Sequence, residues 1–469
     1  MVFSSTVFLF LFFPVTYVLY LIIPSIRAKN ILLIITSLLF YAFGEPITVF
    51  LMIFSVAVNY ALGLAIAKAK SSGKPFLVMS VVFNLALLCI FKYTMFFTEL
   101  LNSVLPIDIT VPNIRLPIGI SFFTFQILSY VIDVYKDKSL VQKNFLNVLL
   151  YISLFPQLIA GPIVKYYDIA KQIENREITA QNTALGIRRF ICGLSKKILI
   201  ANTVGSAADA MFSLSGSDLS ILTCWLGGIA YTIQIYFDFS GYSDMAIGLG
   251  RMLGFTFKEN FNYPYTSSSM QDFWRRWHIS ISSWFKEYLY IPLGGNRKGR
   301  LRTAVNKIIV FFFTGLWHGA NLTFVVWGLV HGMFLMLESY KVIPLEKIKF
   351  KPIKHIYTML VVIVTFVIFR ADNLTQAWLF IKNMFTGFNI SGESLSIFCE
   401  QFTPYFIFIL ILGIIFSMPV VQKLSSKPKT EKAVTALEYL SYGATLSLLF
   451  MCITALASST FNPFIYLQF

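Results

Sequence analysis

The chain has 469 residues, of which 57% are hydrophobic, 17% aromatic and only 13% charged, and its mean hydropathy is +0.72. That much apolar surface is more than a soluble globule buries, so a water-soluble enzyme is excluded and a polytopic membrane protein indicated. Lys and Arg outnumber Asp and Glu by 38 to 22, a net charge of +16, but they cluster in short loops between apolar runs, which reads as membrane topology and not as a nucleic-acid surface.

Apolar runs that cross, or nearly cross, a hydrocarbon core of about 30 Å lie at 6–23, 31–43, 47–66, 76–98 and 117–135. The first has no charged residue before Arg27 and no small-residue cleavage site after it, so it is expected to be retained as a span. Arg27 and Lys29, then Lys68, Lys70 and Lys74, then Lys136, Lys138 and Lys143 fall in alternate loops, whereas the loop around Glu45 has no basic residue and that at 99–116 only Arg115. The positive-inside rule therefore predicts an extracytoplasmic N-terminus. The run 145–163 ends in Ala160-Gly161-Pro162 and precedes a charged segment from Lys165 to Arg189. Both flanks face the cytoplasm on this pattern, so the run is expected to be re-entrant, with Gly161-Pro162 lining an internal cavity.

Crossings at 187–205 and 221–239 enclose an outside loop, 206–220, free of Lys and Arg. The segment 251–305 is amphipathic and basic and is placed in the cytoplasm, and 306–338 is expected to form an in-and-out hairpin with Trp317-His318-Gly319-Ala320-Asn321 between its arms. Spans at 356–370, 404–421 and 436–455 follow, with Lys423, Lys427, Lys429 and Lys432 inside. The expected fold is all-α, with roughly eleven to thirteen membrane segments including re-entrant elements. No internal repeat divides it, so residues 1–469 read as one membrane domain. Cys89, Cys192, Cys224, Cys399 and Cys452 stand singly, without ligand spacing, so neither disulfide framework nor metal site is expected.

The chain has four histidines. His318 lies twelve residues past Asn306, so a helix starting there carries it about 18 Å inward. An ionisable group at membrane depth is a functional suspect, and a neutral imidazole can accept a proton from a hydroxyl or thiol. Gly319 and Ala320 beside it are expected to leave room for substrate. His278 falls in Phe273-Trp274-Arg275-Arg276-Trp277-His278, where Trp274, Trp277, Ile281, Trp284 or Phe285, and Tyr288 recur at helical spacing. This predicts one interfacial amphipathic helix. In Tyr236-Phe237-Asp238-Phe239-Ser240-Gly241-Tyr242-Ser243-Asp244 the glycine suggests a broken helix, and Asp238 or Asp244 is available to pair with arginines or orient an imidazole. Pro292-Leu293-Gly294-Gly295-Asn296-Arg297-Lys298 is a turn with a basic tail suited to phosphates. His331 reads as a packing or relay residue, and His355, beside a lysine-rich loop, as exposed.

Gln271-Asp272-Phe273-Trp274-Arg275-Arg276-Trp277-His278, Tyr290-Ile291-Pro292-Leu293-Gly294-Gly295-Asn296-Arg297 and Gly315-Leu316-Trp317-His318-Gly319-Ala320 resemble the membrane-bound O-acyltransferase family. Met1-Val2-Phe3-Ser4-Ser5, Pro117-Ile118-Gly119-Ile120-Ser121-Phe122 and the segment 236–244 look more closely like its alginate O-acetylation branch, and the likeness weakens after about Arg370. The resemblance implies helices around a central tunnel in a bacterial cytoplasmic membrane, with acetyl-CoA as donor substrate, no bound cofactor, and an acceptor polysaccharide outside, of alginate, cellulose or peptidoglycan type. His318 then matches the family's catalytic histidine, and His278 the second functional histidine of the related D-alanyl transfer proteins. Trp274, Arg275, Arg276, Trp277, Arg297, Lys298, Trp317, Asn321 and Asp238 are the candidate donor-binding residues. The implied partners are a separate extracytoplasmic SGNH-type acetyltransferase and a polysaccharide synthesis complex. D-alanyl transfer to teichoic acid is the nearest rival; a transporter or flippase, built on a proton relay, is the rival of another class.

Overall fold

A chain segment in lipid has no water to satisfy its peptide groups, and a helix satisfies them within itself. The computed structural model describes residues 1–105, 108–159, 161–425, 430–458 and 464, and among these it is helical with no strand. Of the residues named above, Ala160, Lys427 and Lys429 lie outside the described ones.

Helices occupy every expected crossing, beginning with Phe8–Ile22, Ile26–Ala42, Thr48–Lys68, Lys74–Val104 and Ile120–Lys136. Among the described residues five helices are by themselves long and apolar enough to cross a membrane: Thr48–Lys68, Lys74–Val104, Leu322–Ser339, Lys351–Arg370 and Glu431–Ala457. A sixth arises if Gly392–Gln401 and Pro404–Phe416, bent by 65°, form one broken span. The other expected segments are shorter, kinked or more polar helices. Leu374–Thr386 is a further helix that the apolar runs did not indicate.

The described chain forms two compact units, residues 1–190 with 245–258, and residues 191–244 with 259–469. In the first, the buried Arg176 guanidinium donates to the Tyr20 hydroxyl, the Leu253 carbonyl and the Asn30 amide oxygen, at 2.8–3.2 Å. Charge-assisted bonds of this kind satisfy a buried cation that would otherwise be costly. Within the candidate spans, Asn59, Ser80 and Asn84 bond one another, joining two apolar helices by side-chain amides. The expected re-entrant run becomes helix Phe145–Ser153, a non-helical Leu154 and a single turn Phe155–Leu158, all but its first residues buried. At Gly161 a Cβ would lie 2.6 Å from Gln157 Cα, so the glycine serves a close approach of the chain to itself.

The helix Ile221–Met252, which belongs to the second unit as far as Asp244, runs unbroken through Gly241, contrary to the break expected there. A Cβ on Gly241 would meet the Gly193 carbonyl oxygen at 2.7 Å, so close packing and not a kink explains the residue. Helices Gly299–His318 and Leu322–Ser339 form the expected hairpin and approach at two glycines. Added Cβ atoms would lie 2.3 Å from the Phe324 oxygen at Gly315 and 2.3 Å from the Phe311 oxygen at Gly328. Backbone cannot yield as a flexible side chain can, so Gly328→Ala is expected to lower stability by about 1–3 kcal/mol. Gly443→Ala, with nothing within 4 Å, is the matched control, and detergent-solubilised melting curves that leave the two variants indistinguishable would contradict the close approach.

Candidate functional site

Helix Gly299–His318 begins seven residues earlier than Asn306 and ends on His318 itself. Asn306, fully buried, donates through Nδ2 to the Gly295 carbonyl at 2.9 Å, which anchors the helix to the preceding turn. Nineteen residues from Gly299, His318 stands about 28 Å along the axis. Its ring packs with Trp317, Trp327 and Phe369, at centroid distances of 5.0, 5.2 and 5.1 Å. The space expected beside it at Gly319 is filled, because a Cβ there would lie 2.2 Å from the Phe324 ring.

The single interfacial helix expected around His278 is instead two short ones, Met270–Arg276 and Ile279–Phe285. The first is capped twice. Ser269 Oγ accepts from Asp272 N at 3.0 Å, and the Glu338 carboxylate accepts from Met270 N at 2.7 Å and Gln271 N at 3.0 Å. Trp277 then leaves the helix in an extended conformation, and His278 adopts the left-handed region with φ 44° and ψ 55°. A non-glycine residue held there costs on the order of 1–3 kcal/mol, and such strain concentrates at functional sites. His278 is buried and not on an exposed helix face. Its Nδ1 lies 3.2 Å from Asn260 Oδ1, an oxygen that also accepts from Ser280 N and Ser280 Oγ. The flanking helices are too short to cross a membrane, and burial lowers the pKa of this imidazole from its ordinary value, which favours the neutral form.

The break turns His278 toward the hairpin. The His278 and His318 ring centroids are 6.4 Å apart, and His278 lies 5.9 Å from Trp317. Exposure separates the three inner histidines: His318 keeps 5% of its surface, His278 1% and His331 none. His331 accepts at Nδ1 from Trp274 Nε1 at 3.2 Å, which leaves its proton on Nε2, and it packs 4.9 Å from Trp327. Trp327 therefore touches both His318 and His331. His355 is exposed, as expected, with Nδ1 3.2 Å from the Ser267 carbonyl oxygen.

The remaining candidates divide by position. Trp277 is core, packed on Phe273, Tyr236 and Phe366. Asp238, buried, forms an ion pair with Lys197, and Asp244 pairs with Lys196 at 2.6 Å. Lysines from one segment, Lys196–Ala201, thus answer the two carboxylates for which arginine or imidazole partners were expected. Asn321 caps helix Leu322–Ser339 through Oδ1 and donates from Nδ2 to the Asp372 carbonyl. Arg276 is half-buried and bonds Asp272 and the Asn262 carbonyl; Arg275, Arg297 and Lys298 are exposed. The structure therefore assembles His278, His318 and Trp317, with Trp274 joined to them through Trp327 and His331. Asn260, Ser280, Trp327, Phe369, Lys197 and Glu338 are site neighbours that the sequence pattern does not reveal. Each is an ordinary apolar, polar or charged residue locally, and its role exists only through a contact distant in sequence.

Residues 47–381 match the family model of the membrane-bound O-acyltransferase family. The chain is 44% identical over 397 residues to a probable alginate O-acetylase, AlgI, of Pseudomonas aeruginosa, covering 82% of this chain and 75% of that protein. It is 37% identical over 421 residues to a peptidoglycan O-acetyltransferase of Helicobacter pylori, covering 82% and 80%. The likeness to a teichoic acid D-alanyltransferase of Bacillus subtilis is lower and shorter, 29% over 263 residues, covering 53% and 65%. The match spans both histidines, the strained turn and the glycine-packed hairpin, and on it the chain is a multi-pass membrane O-acyltransferase that belongs to the membrane-bound O-acyltransferase family.

Proposed function

We propose that this protein transfers acetyl groups from cytoplasmic acetyl-CoA to the extracytoplasmic face of a bacterial cytoplasmic membrane, for O-acetylation of a polysaccharide of alginate, cellulose or peptidoglycan type. The observation that carries the reading is the 6.4 Å approach of two imidazoles forty residues apart in sequence, a separation at which one small reacting group can touch both. His318, the more exposed ring, removes the proton of an acceptor hydroxyl or briefly takes the acyl group itself. The thioester C–S bond breaks, an ester C–O bond forms, and the hydroxyl proton ends on the departing thiol. His278 orients the donor.

Arg275, Arg276, Arg297 and Lys298 supply the positive charge for the donor's phosphates. Arg297 and Lys298 precede the start of the helix that ends on His318, so a long, flexible donor can be held at one end and react at the other. The N-terminus lies outside on the loop-charge pattern. The final acceptor is reached through a separate extracytoplasmic SGNH-type acetyltransferase within a polysaccharide synthesis complex. Similarity to O-acetyltransferases over four-fifths of the chain favours acetyl over D-alanyl transfer.

The test is purified protein in liposomes given acetyl-CoA labelled in the acetyl group, with the extracytoplasmic acetyltransferase and polymer on the opposite side. Release of CoA thiol with label on the polymer is expected. No transfer from acetyl-CoA but transfer from a separately labelled D-alanyl carrier protein, or solute crossing without thioester cleavage, would replace this reading by its two rivals.

A further inference from the structure

We propose that Asn260 is a positioning residue that holds His278 as the Nδ1–H tautomer and so presents the Nε2 lone pair to the reacting group. The inference rests on the catalytic reading of His278 given above. Asn260 is fully buried, eighteen residues before His278. The orientation of its amide follows from its partners. Ser280 N, a backbone N–H that can only donate, lies 3.1 Å from Oδ1, so that atom is the oxygen, and Ser280 Oγ donates to it at 2.8 Å. On the other side Nδ2 donates to Ser243 Oγ at 3.1 Å. Ser280 Oγ also lies 3.4 Å from His278 Nδ1, but its proton goes to the nearer Oδ1, and Nδ1, 3.2 Å from that same acceptor oxygen, is then the nitrogen that carries the imidazole proton.

The residue also sets the backbone. Its own carbonyl accepts from Ile279 N at 2.9 Å, so Asn260 satisfies the N–H groups of both residues that follow His278. These are the first donors of helix Ile279–Phe285, which lack partners within the helix. One asparagine thus caps the helix from a distance and stabilises the left-handed turn. It also chooses which imidazole nitrogen is basic. The Phe239 and Phe261 rings, at 4.6 and 6.4 Å from the imidazole, hold its plane without competing for the proton.

The tautomer can be read in the intact wild-type protein by nitrogen NMR of histidine-labelled material, with the His278 signals identified by their loss in His278→Ala. A protonated Nδ1 and a bare Nε2 are expected; the reverse assignment overturns the proposal. In reconstituted vesicles Asn260→Ala is expected to lower kcat roughly 10²-fold, the scale on which an imidazole loses its orienting partner, with KM for acetyl-CoA unchanged. Asn260→Asp keeps an acceptor at Nδ1 and is expected to recover most of the lost kcat. If Asn260→Ala lowers only the melting temperature and each folded molecule turns over at the wild-type rate, Asn260 is a structural cap and the proposal fails. A fully active His278→Ala would instead remove the underlying reading of His278, and that result is distinguishable from an inactive His278→Ala beside an active Asn260→Ala.

Discussion

His318→Ala is expected to reduce acyl transfer by about 10³-fold or more while the protein still inserts and folds. A positioned general base contributes on the order of 10²–10⁴ in rate, and a nucleophile whose loss stops the route altogether costs at least as much. The residue ends its helix, with Gly319 extended beyond it, so no helical hydrogen bond depends on the imidazole. The substitution removes ring packing against Trp317, Trp327 and Phe369. The measurement is CoA thiol release per folded molecule in vesicles, with a melting curve on the same preparation. A variant that acetylates at the wild-type rate would remove His318 from the chemistry.

His278 permits a sharper comparison, because two things are bound up in it, an imidazole and a left-handed backbone. At φ 44° a glycine is at ease and an alanine is not. His278→Gly and His278→Ala should both lose about 10²-fold in kcat through loss of the ring that orients the donor. The glycine variant should be the more stable of the two by about 1 kcal/mol, the usual penalty of a Cβ in that region. Equal melting temperatures would mean that the turn relaxes when the ring is gone. A glycine variant with full activity would mean that His278 serves the fold and not the reaction.

Much of this was legible from residue order. Apolar runs and alternating lysine-rich loops are local signals, since a helix in lipid satisfies its own backbone and positive charge stays on one side. They anticipated the helices from Phe8–Ile22 to Ile120–Lys136 and the hairpin around Trp317-His318. His318 stood out because an ionisable group is rare at that depth. Glycines were harder to read. Gly241 looks like a helix breaker and Gly161 like a cavity lining, yet both are places where another stretch of backbone comes too close for a Cβ.

What only the tertiary structure decided is how His278 enters the site. Its helical spacing with Trp274, Ile281 and Trp284 is real, but the chain interrupts the helix at Trp277 and His278 to turn the imidazole inward. Nothing local reveals that exchange. It is held by Asn260, which supplies hydrogen bonds to the His278 imidazole and the two N–H groups after it, and by Glu338, which caps the preceding helix from sixty-eight residues away. Periodicity reports which face of a helix is apolar; it carries no information about a distant amide that makes breaking the helix cheaper than continuing it.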